Sequence, residues 1–203
     1  MEQYINPNLE IRRKDLIKRL TKDSEFYLSQ GLYLPQNNWR NQILKLHPIK
    51  AVMTPSRDLL DLISDLDSRK KIYDGNDDLI STNKKQIMLD NIIGMHGPWK
   101  AENLDNYFHN FNGQYYMDTQ HIVIDGKIVN LKRIPISFVE QGGWTSFKYF
   151  DENGLATKLK GREIYFYPPL DNTVAWLGAG SDWLNLGCDR DPADSGPGLG
   201  MRA

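Results

Sequence analysis

Asp125-Gly126 lies between two runs of strand-forming residues, 115–124 and 127–131. A tight two-residue turn needs positive φ angles, and this dipeptide adopts them readily, so the segment is expected to be a β-hairpin. A chain with such a hairpin past its midpoint must complete a sheet around it. Further short strands are expected at 136–139, 144–150, 155–159 and 164–167, with Gly142-Gly143, Asn153-Gly154 and Pro168-Pro169 as punctuation.

Ahead of the hairpin the apolar spacing is helical. Asn8 can cap a helix starting near Leu9, with Ile11, Leu16, Ile17 and Leu20 recurring at helical intervals, and Ser56 can begin another with Leu59, Leu60, Ile63 and Leu66 as its stripe. A third helix is expected over 84–93, closed by Gly94, and a fourth over 101–110 with Leu104, Tyr107, Phe108 and Phe111 on one side. Helices first and short antiparallel strands later describe an α+β fold. Residues 1–95 are expected to form a helical portion packed on a second region, 96–203.

The 203 residues, 40% hydrophobic and 25% charged, suffice for a sizeable core. A formal net charge of -1 provides no global field for nucleic acid or an anionic membrane, so neither is expected as a partner. No stretch approaches the roughly 20 apolar residues of a membrane span, and the opening MEQYINPNLEIRRK lacks the apolar core of a signal peptide. Cys188 is the only cysteine, which excludes an internal disulfide and a Cys/His zinc framework.

The sequence contains few arrangements that suggest chemistry. His47, His96, His109 and His121 are scattered, without the i,i+4 pairing of a metalloprotease helix. Cys188 would need a histidine brought to it in space to act as a nucleophile, and its context LGCDRD carries no thiol-enzyme signature. Asp189, Asp191 and Asp194 cluster oxygens that hard cations favour, yet the spacing is not an EF-hand and Pro192 interrupts the loop. Gly178-x-Gly180 and Gly196-x-Gly198-x-Gly200 lack the Lys-Ser/Thr of a phosphate cradle and are expected to be loop glycines. No metal, cofactor or catalytic residue is therefore expected.

Residues 174–203 obey different compositional rules. They hold two tryptophans, the only cysteine and six of the sixteen glycines, and neither lysine nor glutamate. The segment Ala175-Trp176, Ser181-x-Trp183, Cys188-x-Arg190-x-Pro192 and Leu199-Gly200-Met201-Arg202, preceded by Gly142-Gly143-Trp144-Thr145-Ser146, resembles the variable C-terminus of proteins diversified by retroelements. It resembles the archaeal members of that group in particular. The resemblance covers residues 101–203 and implies a C-type-lectin-like fold, shared with formylglycine-generating enzymes, preceded here by N-terminal helices.

These retroelements copy a template with errors at adenines, which turns asparagine codons into codons ending in C or T. Such codons never specify Lys, Glu, Gln, Met or Trp, and residues 177–198 contain only permitted types apart from Trp183. The resemblance implies a variable ligand-binding surface formed by Leu177, Gly178, Gly180, Asp182, Asn185, Gly187, Asp189, Asp191, Ala193, Asp194, Gly196 and Gly198, held by a scaffold of Trp176, Trp183 and Arg202. Such positions must be exposed, because surface changes shift stability by about 0.5 kcal/mol or less whereas core changes cost several. The implied function is display rather than catalysis: recognition of an external macromolecule, a protein rather than a sugar, from a cell surface or virion exterior. The lectin signatures Glu-Pro-Asn, Gln-Pro-Asp and Trp-Asn-Asp are absent, and a single cysteine cannot supply the pair that formylglycine generation needs. The alternatives are an enzyme on that scaffold, built around Cys188, and a structural protein of a virus particle.

Overall fold

The computed structural model describes residues 16–20, 25–29, 37–68, 70–93, 100–180, 183–195 and 199–201. It is an α+β fold. A hairpin of β1 (Leu16–Leu20) and β2 (Glu25–Ser29) precedes three helices, α1 (Trp39–Leu46), α2 (Ser56–Asp67) and α3 (Thr82–Ile93). The main sheet then follows: β3 (Lys100–Phe111), β4 (Gln114–Ile124), β5 (Lys127–Pro135), β6 (Gly143–Thr145), β7 (Ile164–Tyr167), β8 (Thr173–Ala179), β9 (Leu184–Arg190) and β10 (Leu199–Met201).

The hairpin expected at Asp125-Gly126 is present. Ile124 pairs with Lys127, and the two turn residues have φ of 50° and 73°. The helix from Ser56 also forms, and its stripe of Leu59, Leu60, Ile63 and Leu66 is buried. The third helix begins two residues earlier than expected, and Gly94 lies outside the described residues. Its Lys85 ammonium donates to the carbonyls of Ser68 and Lys70 at 2.6 and 3.0 Å, which ties α3 to the chain leaving α2.

Two expected helices are strands. Residues 16–20 pair with β2, and Lys18 donates its backbone N–H to the Tyr73 carbonyl; residues 8–15 lie outside the described chain. Residues 101–110 form the centre of β3. Leu104 and Phe108 stand four apart, a spacing that suits one helix face and also one strand face, and β3 has neighbours on both edges that take up its backbone groups. No element was expected over 39–46, where α1 forms and Asn38 caps its first turn by accepting from Asn41 N–H at 2.9 Å. Two expected strands are loops. Residues 136–139 are irregular, and within 155–159 only Ala156 makes a bridge, to Phe150. The expected strand 144–150 is reduced to β6 and a 3-10 turn over Phe147–Tyr149. The Asp151 carboxylate accepts from the N–H groups of Asn153 and Leu155, and this turn draws the backbone away from a ladder.

The strand order is β5-β4-β3-β8-β9-β7-β6, with β10 lying beside the first half of β3. All pairings are antiparallel except β7 with β9 and β10 with β3. Successive residues of β8 assign the two faces. Ala175 and Leu177 belong to the large core, in which α2 and α3 contribute Leu59, Ile63, Met88 and Ile92. Val174 belongs to a second cluster with Trp39, Ile43 and Leu46 of α1, Met53 and Met201. The sheet is therefore clothed by α2 and α3 on one face and by α1 on part of the other. Helices from residues 1–95 and strands from 96–203 share the large core.

Candidate functional site

The part of the second face that α1 leaves open is built by β6, β7, β8 and β9. In β9 Leu184, Leu186 and Cys188 enter the core, so Asn185 and Gly187 point the other way. Register carries this face across the sheet. Trp144 pairs with Tyr165, Tyr165 with Asn185, and Asn185 with Gly178; in the next row Tyr167 pairs with Gly187 and Gly187 with Trp176. Paired residues share a face, so four aromatic side chains stand around a floor of glycine and asparagine.

The rings touch in sequence. Trp144 meets Tyr165 edge-on at 5.5 Å, Tyr165 lies 4.8 Å from Tyr167, and Tyr167 stacks on Trp176 at 6.3 Å. Glycine is required beneath Trp176. A Cβ at Gly187 would fall 2.0 Å from the indole Nε1, and one at Gly178 would fall 2.4 Å from the ring carbon Cζ3. A register shift between Val174 and Trp176 marks a bulge in β9, which lets the successive residues Asp189 and Arg190 both reach the indole. Trp176 Nε1–H donates to Asp189 Oδ1 at 3.1 Å, and the Arg190 guanidinium lies 4.9 Å from the ring centre. Burial lowers the pKa of Arg190 from its ordinary value, although Asp194 and Asp189 oppose the shift.

The positions expected to vary divide into four groups. Gly178, Asn185, Gly187 and Asp189 lie on the open face, with Gly180 in the turn just beyond β8, but Gly178 and Gly187 are covered by Trp176 and Asn185 is itself buried. Asp191, Ala193 and Asp194 are exposed in the turn after β9, where the Asp191 carboxylate accepts from Ala193 N–H. Leu177 faces the core and is 2% exposed, so the exposure requirement fails there, as it does at the buried Gly178, Asn185 and Gly187. Asp182, Gly196, Gly198 and the scaffold residue Arg202 lie outside the described residues. Gly178, expected in a loop, is a strand residue. Of the two scaffold tryptophans, Trp176 is seated on the sheet, whereas Trp183 is 48% exposed at the β8–β9 end and anchors nothing in the core.

Trp144, Tyr165 and Tyr167 were not foreseen. The signal was present in Ile164-Tyr165-Phe166-Tyr167, where aliphatic or phenyl side chains alternate with phenols, as in a strand with one core face and one polar face. Cys188 is fully buried, and burial, with Asp189 and Asp151 nearby, pushes its thiol well above the ordinary value. Among the described residues no group of three His, Cys, Asp or Glu side chains converges to hold a metal ion. No helix among them is long and apolar enough to cross a membrane. Comparison with known protein families, with characterised proteins and with solved structures returns no match.

Proposed function

We propose that this chain is a display protein, a C-type-lectin-like scaffold whose open sheet face binds an external macromolecule from a cell surface or virion exterior and is diversified by adenine-directed retroelement mutagenesis. One observation carries the reading. Of the positions that the retroelement pattern allows to vary, Gly178, Asn185, Gly187 and Asp189 share one face of the β8–β9 hairpin, whereas the alternate residues Leu184, Leu186 and Cys188 fill the core. A binding surface can change while a fold survives only if the changing side chains avoid the core.

The face suits a macromolecule better than a small molecule. It is a surface rather than a pit, with Trp144 and Tyr167 more than a third exposed. Aromatic side chains supply large, rigid contact area at low entropic cost, as in antibody paratopes. A protein ligand is favoured for the same reason, since tyrosine and tryptophan are the residues that dominate protein interfaces. The burial of Cys188 removes the nucleophile on which an enzymatic alternative depended.

Sequencing many copies of this gene and its flanking locus tests the proposal. The expected result is a nearby near-repeat that differs at adenines, with substitutions at Gly180, Asn185, Asp189, Asp191, Ala193 and Asp194 and none at Leu177, Leu184, Leu186 or Cys188. An invariant tail without a repeat overturns it, and so do substitutions spread equally over both faces.

A further inference from the structure

We infer that the protein holds a second site, unrelated to the open face: a cleft beneath α1 that binds a small apolar monocarboxylate with its anionic head against His121. The cleft has a volume of about 260 Å³ and lies between α1, the segment that follows it and β4. Ile43, Leu46, Met53 and Val123 make its walls. Its polar side chains are His47, Lys50 and His121, all basic, and among the described residues no carboxylate lines it.

His121 is fixed for such a role. Its ring Nδ1 bonds the carboxylate of Asp105, and its backbone N–H donates to the same carboxylate at 3.1 Å. Asp105 sits where the register of β3 shifts between Asn103 and Tyr107, and this irregularity brings it to His121. The Asp105 N–H donates to the Thr54 carbonyl, and its own carbonyl accepts from Thr119 Oγ1. Trp39 packs edge-on against the imidazole at 4.8 Å and is itself held by its Nε1–H donating to the Leu104 carbonyl. The other ring nitrogen, Nε2, makes no hydrogen bond among the described residues, and His121 lines the cleft. A buried, doubly anchored histidine that presents a nitrogen to an otherwise apolar wall is the polar handle of a ligand pocket. With Nδ1–H donated to Asp105 and Nε2–H left for a ligand, a doubly protonated His121 ring together with His47 and Lys50 selects a negative head, and a volume below the roughly 300–1,000 Å³ of drug-sized pockets selects a short apolar body.

Hexanoate and hexan-1-ol, titrated separately into the full chain and followed by NMR, test this inference. Hexanoate is expected to shift the methyl resonances of Ile43, Met53 and Val123 and the His121 ring nitrogens, and to bind about tenfold more tightly than the alcohol, as a charge-assisted hydrogen bond requires. Ala51→Trp, which places an indole in the cleft and leaves the His121 contacts alone, is expected to abolish the shifts, and Lys50→Gln to weaken binding several-fold. Equal binding of alcohol and acid overturns the anionic assignment. Absence of shifts at millimolar hexanoate, or shifts that persist in Ala51→Trp, overturns the site.

Discussion

Leu177, Leu184, Leu186 and Cys188 in the β8–β9 hairpin meet the core beneath α2 and α3, whereas Trp176, Gly178, Asn185 and Gly187 in the same two strands form a face on which no described helix lies. The two faces satisfy opposite demands. The inner face belongs to the buried core, and because protein interiors are close-packed, volume matters there. The outer face carries large rings where they can contact a partner, and it achieves a flat seat for Trp176 by having no side chain at Gly187 and Gly178. Alternation along a strand is what separates the core residues from the set proposed to bind, at intervals of one residue.

The largest expected effect tests the inner face. Phe166 is fully buried and packs on Phe150, whereas its neighbour Tyr167 is 37% exposed. Phe166→Ala is expected to cost about 3–5 kcal/mol and Tyr167→Ala about 1 kcal/mol, read from urea midpoints at constant slope. Equal losses would erase the distinction between the faces.

Gly187→Ala is expected to have the next largest effect. The added methyl group overlaps the Trp176 indole, so the ring must leave its seat and give up its bond to Asp189. The expected cost is about 1–3 kcal/mol, with a red shift in emission that is absent in a Trp176→Phe background. An unchanged emission spectrum would show that Trp176 does not rest on the glycine. The outcome also bears on display, because diversification at Gly187 would reposition the largest ring on the face rather than only exchange one side chain.

The hairpin at Asp125-Gly126 and the helix from Ser56 were legible because their signals are local: a dipeptide that takes positive φ and an apolar stripe of several turns. Residues 101–110 were not, because a four-residue interval between Leu104 and Phe108 fits either periodicity, and only pairing with β4, β8 and β10 decides it. The C-terminal segment was legible as chemically distinct, but not as two strands and an edge piece. Its permitted residue types grouped Gly178, Asn185 and Gly187, which share one strand face but are buried, with Leu177, which faces the core. Which side a strand residue faces follows from the core it pairs toward, and Ile164 and Phe166 that help define that core lie outside the segment. The cleft at His121 was illegible for a similar reason, since Asp105 and His121 meet through the pairing of β3 with β4 and neither stands out by spacing.

Adjacent residues give a smaller test, Cys188 inside and Asp189 outside. Burial holds the Cys188 thiol well above its ordinary value near 9.0 in the folded chain, and unfolding returns it to that value. Its contribution to stability is therefore complete below pH 9 and lost as pH rises from there toward the folded value, at no more than about 1.4 kcal/mol per pH unit. Urea unfolding between pH 8 and 10.5 should lose this increment in slope in Cys188→Ala, and the wild-type thiol should react with a disulfide reagent only as fast as the chain opens. A thiol that reacts at once in the folded protein would place Cys188 outside the core.

The smallest expected effect lies in the turn after β9. Ala193 and Asp194 are exposed, and the carboxylate that shapes the turn belongs to Asp191. Ala193→Tyr and Asp194→Ser should change stability by about 0.5 kcal/mol or less, whereas Leu177→Ser, also a change that the retroelement pattern permits, should cost several because it buries a hydroxyl and empties core volume. If all three variants are equally stable, exposure is not what separates the tolerant positions from the rest. If the turn variants are tolerated and Leu177→Ser is not, residue types alone overstate the variable set, and the strand face on which each residue stands corrects it.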